Sequence, residues 1–232
     1  NKQLPSEWDK SRFNGGLSYE EGFLKESDSQ FTINLLHTKN TSGSKAHNYS
    51  DVQEIKWLDE LKCFKVHFSD HQNQNHTIYV KTIVNACGVW AEGVNEKFGF
   101  KTKASHHFSK GVYLLLKNTD KQQDAFVVDM EKNGDTLCWV PWGETVMWGP
   151  TETSIGSVDE LPVTQDDVEF LLGKLNSKLE HKISHQDIIN VRTGIRPLVK
   201  FNGQEFKNSL ELSRKAILES DPKLPWHTIF WR

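Results

Sequence analysis

The sequence predicts a mixed α+β protein dominated by antiparallel sheet, with one strand of the buried, parallel type. Three observations carry that expectation. Short segments alternate apolar and polar residues with period 2, separated by polar turns, as strands with one solvated face do. One run, Thr82-Ile83-Val84-Asn85-Ala86, breaks the alternation and is nearly all apolar, as expected of a strand covered on both faces. A helix over 165–179 opens with Thr164 as N-cap and Asp166 and Asp167 in its first turn.

Taken in order, residues 1–16 are polar and turn-rich, ending in Asn14-Gly15-Gly16. Leu17 to Phe23 reads as a short strand, and Ser27 to Leu36 as a helix capped by Ser27 or Asp28. Thr41-Ser42-Gly43-Ser44 breaks it. Val52–Leu58, Phe64–Phe68 and Thr77–Val80 then form a three-stranded antiparallel meander. After the apolar strand, Cys87-Gly88-Val89-Trp90 turns the chain into a helix over 91–98, a geometry that places a helix N-terminus near a ligand phosphate. Strands are expected at 107–116, 125–130, 136–141 and 145–149. Another spans 188–195 and is stopped by Arg196-Pro197; the last lie at 210–218 and 228–231.

Composition removes several classes of function. The 232 residues hold 28 Lys+Arg against 31 Asp+Glu, a net charge of −3, and no basic cluster, which argues against an electrostatically driven nucleic-acid binder. The longest clean apolar run, Val112 to Leu116, is far shorter than the roughly 20 residues of a membrane-spanning helix. The hydrophobic share is 36%, offset by 8 Trp and 13 Phe. Cys63, Cys87 and Cys138 make an odd set without CxxC spacing, which fits a reducing compartment and neither a disulfide framework nor a zinc site. His106 and His107 are adjacent, so on a strand they point to opposite faces and share no metal; two surface histidines on a strand edge are expected. The sequence starts at Asn1 without a signal and ends at Ile229-Phe230-Trp231-Arg232 without a stop, so a central segment of a longer protein is expected.

Three segments could carry chemistry. In Asn85-Ala86-Cys87-Gly88-Val89-Trp90, the small residues allow either close backbone approach to a ligand or a packing turn. In Thr193-Gly194-Ile195-Arg196-Pro197-Leu198, proline stiffens the backbone around Arg196, whose guanidinium would suit bidentate capture of a carboxylate or phosphate, or else an ordinary surface ion pair. Ser109-Lys110-Gly111-Val112-Tyr113 opens a strand with a basic residue and a phenol. No G-x-G-x-x-G, P-loop, G-x-S-x-G or H-E-x-x-H occurs, and no residue is singled out as a general base.

These segments occur in an order that resembles the FAD-dependent glycerol-3-phosphate dehydrogenase/oxidase family of the D-amino-acid-oxidase-like flavoproteins. The likeness runs from Gly15-Gly16-Leu17-Ser18-Tyr19-Glu20-Glu21-Gly22 through 83–90, 109–116, Val140-Pro141-Trp142, Trp148-Gly149-Pro150-Thr151-Glu152 and 193–198 to Leu212-Ser213-Arg214 and the closing strand. It implies FAD as cofactor, held by Val52, Ala86, Cys87, Gly88, Trp90 and Gly194. It implies a small anionic substrate such as glycerol 3-phosphate, met by Arg196, Tyr113 and Lys110, with quinone or oxygen as electron acceptor and no metal. An amino or hydroxy acid as substrate, or a cap module inert in isolation, are the alternatives. Residues 1–47 would begin the substrate region, and 48–104 would belong to a Rossmann-like FAD domain. Residues 105–195 would form an antiparallel cap with its helix, and 196–232 would return to the FAD domain. A cytoplasmic protein is implied, with peripheral contact on the inner membrane face left open. Departures from the family pattern are Tyr113 for His, Cys87 and Val89 for Thr and Pro, and Pro150 and Glu152 for Thr and Asp.

Overall fold

The structure is a computed structural model; it describes residues 4–22, 24, 27–39, 43–121, 123–129, 136–159, 161–206, 211–212 and 215–231. The chain forms two compact units, one of residues 17–84 and 221–227, the other of 1–16, 85–220 and 228–232.

In the first unit, β1 (Asp51–Leu58), β2 (Cys63–Ser69) and β3 (Asn75–Val80) form the expected antiparallel meander. Its core side is set by the alternation in β2, where Phe64, Val66 and Phe68 are buried. Phe64 packs edge-on against Trp57, with ring centroids 4.8 Å apart, and faces Trp226. At the β2–β3 turn the Asp70 carboxylate accepts hydrogen bonds from His76 and from the Gln72 and Gln74 backbone, which hold it down at about 2. Helix α1 (Asp28–Lys39) runs three residues beyond the expected end, and Ser27 Oγ accepts from the Gln30 N–H at its start. The strand expected at 17–23 does not form over its described residues. Leu17 is 98% exposed, and with no neighbouring ladder a single strand lacks partners for its N–H and C=O groups. Part of the expected break at 41–44 lies outside the described residues.

The second unit is built on β5 (Ala104–Lys117). With β6 (Phe126–Asp129), β7 (Thr136–Trp142), β8 (Thr145–Gly149) and β10 (Asn190–Phe201) it makes a sheet of order β10-β5-β8-β7-β6. The short β9 (Thr153–Ile155), which no period-2 signal marked, also pairs with β5. One face of this sheet is closed by α3 (Gln165–Asn176), started by the expected Thr164 capping box and ending three residues early. Val112, Leu114, Leu116, Trp139 and Trp148 interlock there with Leu171, Leu172 and Leu175. The polar-looking N-terminal segment contributes the centre of this core: Trp8 is fully buried, edge-on to Trp139 and Trp148.

Pro197 does not stop β10, which pairs with β5 from Asn190↔Leu115 to Phe201↔Ala104. As an edge strand, β10 can turn the missing N–H away from the ladder. His106 is not at the surface: its ring is buried against Phe108 and Phe230, with Nδ1 3.2 Å from Glu92. That face of β5 is covered, whereas His107 on the other face is partly exposed.

A third sheet has the order β11-β12-β4, with β4 Ile83–Asn85, β11 Ile217–Ser220 and β12 Trp226–Phe230. β4 is an edge strand, and Val84 is 56% exposed, so the strand is not covered on both faces as expected. The expected strand over 210–218 is observed only as β11; residues 207–210 and 213–214, including Ser213 and Arg214, lie outside the described residues.

Candidate active-site face

The pleat of β5 divides its side chains. Ser109, Gly111 and Tyr113 lie on the face opposite α3, and the ladder brings Arg196, Gly194 and Arg192 directly across from them. Arg196 and Tyr113, singled out from the sequence, are therefore brought together. The Arg196 side chain lies over Gly111: a Cβ at that glycine would fall 2.6 Å from Nη2 and 2.8 Å from Nη1. Gly111 thus makes room for the guanidinium, a close approach that any side chain would obstruct.

The loop after β8 holds Arg196 from the other side. Arg196 Nη1 donates to the Thr151 carbonyl at 3.3 Å and to Glu152 Oε2 at 3.5 Å. The other Glu152 oxygen accepts from the fully buried Ser109 hydroxyl at 2.9 Å. Thr151 is itself locked to β5, its N–H donating to the Val112 carbonyl and its hydroxyl accepting from the Val112 N–H. Burial pushes the Tyr113 phenol up and the neighbouring Cys138 adds to this, with Arg196 and Arg192 opposing; the phenol stays a hydrogen-bond donor at neutral pH. Burial likewise raises the Cys138 thiol. Arg192 stacks on Trp142, its guanidinium carbon 5.2 Å from the ring centroid, and reaches the Met147 sulfur.

Lys110 is not part of this constellation. Three positions from Tyr113 on a strand, it turns to the opposite face, where its ammonium meets Asp167 Oδ2 at 2.5 Å and the Pro162 carbonyl at 2.9 Å. The Asp167 carboxylate, raised by burial, is more than offset by hydrogen bonds from Lys110 and Thr164, and its pKa is lowered. Arg192 was not singled out from the sequence; Ser109 stood only inside a quoted segment and Glu152 only as a departure from the family pattern, neither with a role. Arg192 shares the parity of Arg196 on one strand, a usable signal; Glu152 sits in a loop, where no periodicity marks it.

The second constellation is the turn after β4. Asn85 is buried and ties it down: its Nδ2 donates to the Ala91 carbonyl and to Asn95 Oδ1, its Oδ1 accepts from the Cys87 N–H, and Thr228 also donates to Asn95. Ala86, Cys87 and Trp90 are left at the surface, with Gly88 at φ +56° and open space where its Cβ would be. Packing around the Cys87 thiol pushes its pKa up, which speaks against a thiolate nucleophile. Val52 lies in the other unit, on β1 opposite Phe68. Among the described residues no cluster of His, Cys, Asp and Glu could hold a metal ion.

The chain matches the FAD dependent oxidoreductase family over residues 2–209. An aerobic glycerol-3-phosphate dehydrogenase of Staphylococcus aureus is 26% identical over 210 residues, covering 89% of this chain and 37% of that protein. Among solved structures, glycerol-3-phosphate dehydrogenase from Bacillus halodurans complexed with FAD superposes with TM-score 0.71 at 21% identity, covering 87% of this chain and 38% of that one. Glycine oxidase from Geobacillus kaustophilus has the same fold at TM-score 0.55 and 18% identity, over 86% and 47%. The chain thus spans less than half the length of these relatives. Its residues fit the cofactor of the family: Gly194 leaves the edge strand open beside a fixed guanidinium, and 86–88 offers small residues on a turn held from beneath. The chain belongs to the FAD-dependent oxidoreductase family.

Proposed function

We propose that this chain supplies the substrate-facing sheet and part of the FAD-facing surface of an enzyme that oxidises glycerol 3-phosphate to dihydroxyacetone phosphate. The observation that carries the reading is Arg196, fixed over Gly111 with only Nη1 engaged by the Thr151–Glu152 loop. Bound FAD would supply the acceptor for the hydride from the substrate's C2, and the electrons would pass on to quinone or oxygen. The residues of this chain do the rest. Arg196 holds the anionic end of the substrate, and Tyr113, kept protonated, donates a hydrogen bond to a substrate oxygen. Gly194, Ala86, Cys87, Gly88 and Trp90 are the cofactor-binding residues of one unit in this reading, and Val52 is the candidate that the other unit contributes. The domain reading follows: 48–104 and 196–232 on the FAD side, 105–195 as the substrate cap, with 1–47 leading into it. No helix among the described residues is long and apolar enough to cross a membrane. Peripheral contact with the inner membrane face belongs to the same reading where quinone is the acceptor.

The relatives' names support the phosphate substrate. One observation favours a second reading, an amino or hydroxy acid: Arg196 already shares its charge with Glu152, which suits a single carboxylate. Anaerobic titration of the full-length flavoprotein separates the two. Bleaching of the flavin bands by glycerol 3-phosphate supports the first, and bleaching only by amino or hydroxy acids supports the second. A colourless protein that takes up no FAD removes both and leaves an inert cap module.

A further inference from the structure

The open face carries a carboxylate where an anion-binding site would be expected to carry none. Glu152 is anchored there: Ser109, fully buried, donates to its Oε1 at 2.9 Å, and the neighbouring Thr151 is bonded to Val112 on both its N–H and its hydroxyl. The carboxylate therefore stays beside Arg196, with Oε2 3.5 Å from Nη1. Arg196 and Glu152 side chains are only 17% and 26% exposed, so water screens the pair incompletely. An anion gripping the remaining edge of the guanidinium would feel Glu152 a few ångströms further on, and the repulsion scales with its charge.

We infer that Glu152 is a specificity-determining residue: a fixed carboxylate that shares the Arg196 guanidinium and lowers the site's preference for doubly over singly charged anions. The inference rests on the reading that Arg196 grips the substrate anion. Arg192 sits four residues along the same strand but leans toward Trp142 and Met147, so it does not restore the charge at Arg196. The other groups facing this point are Tyr113, Cys138, His107 and Lys200. Burial and Lys200 lower the His107 pKa, with Glu152 opposing, so it is uncharged in alkaline solution.

The test uses the full-length FAD-loaded protein at pH 8, with inorganic phosphate and acetate as competing ligands read from the flavin spectrum. Glu152→Gln keeps one oxygen to accept from Arg196, lets its amide N–H donate to the Ser109 hydroxyl, and removes the charge. Phosphate should then bind about tenfold tighter and acetate about threefold, so their ratio moves about threefold. An unchanged ratio, or weaker binding of both, overturns the inference. Ser109→Ala, which frees the carboxylate to swing into solvent, should move the ratio the same way by less, and it supplies the readout if Glu152→Gln fails to retain FAD. Arg196→Gln separates the two levels of argument. If it leaves both ligands unaffected, the anion-grip reading itself falls; if it weakens both while Glu152→Gln leaves the ratio alone, only the role of Glu152 falls.

Discussion

A basic side chain meets a carboxylate on either face of the six-stranded sheet, Lys110 with Asp167 and Arg196 with Glu152, and these two pairs are built for different ends. On the face under α3, Lys110 and Asp167 meet at 2.5 Å with side chains 4% and 5% exposed, and the ammonium has a second acceptor in the Pro162 carbonyl. Both acceptors that meet the ammonium belong to the protein. On the open face, Arg196 and Glu152 stand 3.5 Å apart, Nη1 is engaged by the Thr151–Glu152 loop, the Tyr113 phenol lies beside the guanidinium, and the Arg196 side chain keeps 17% of its surface exposed. The same charges, one residue apart along β5 and its partner strand, give a fold clamp on one side and a ligand grip on the other. The difference comes from what each face is packed against, not from residue type.

Breaking the clamp should produce the largest effect. Lys110→Met leaves Asp167 buried without its partner and should lower unfolding stability by about 3–5 kcal/mol in urea titration. Lys110→Met with Asp167→Leu should recover most of that loss; failure to recover would mean that the pair does more than neutralise itself. The clamp also has a pH signature. The folded Asp167 pKa is depressed, so its stabilisation is fully present above the ordinary Asp value near 3.8 and is lost as pH falls through the depressed one. The wild type should therefore lose stability relative to the double variant as the pH falls through that range, with the two close to each other near neutral pH. On the open face, Arg196→Gln should raise the KM of the full-length enzyme by about 10–100-fold, the loss of charge-assisted hydrogen bonds, with little change in unfolding midpoint. A fall in stability comparable to Lys110→Met would erase the contrast between faces. Gly111→Ala should act more mildly, displacing the guanidinium it crowds and raising KM by about tenfold at nearly constant kcat. Tyr113→Phe should cost about threefold, the smallest effect, as expected for one neutral hydrogen bond.

Much of this architecture is legible in the sequence because alternation is a local signal. The meander at 51–80, strand β8 and helix α2 (Ala91–Phe98) fall where the pattern places them. Arg196 stood out because Pro197 beside it stiffens the chain, although the same proline suggested a strand end that an edge strand tolerates. Strand parity alone, with Lys110 and Tyr113 three apart, separates those two residues onto opposite faces. Other features have no local signal. Trp8 sits in a polar stretch, and only the tertiary fold shows that it fills a core made of residues more than 100 positions away. Glu152 and Ser109 meet across a separation of 43 residues, joined through a loop whose course no short-range pattern records.

The seat of Trp8 also bears on how fast the protein reaches its native state. Ser6 bonds to Asp120, 114 residues along the chain, and Trp8 pairs with Leu179 in an isolated bridge. The closed core thus holds a long-range contact that gains nothing until the intervening strands are in place, the condition that slows folding through loop-closure entropy. Burial of Trp8 becomes a late event, and indole fluorescence from that position would time the completion of the sheet rather than its beginning.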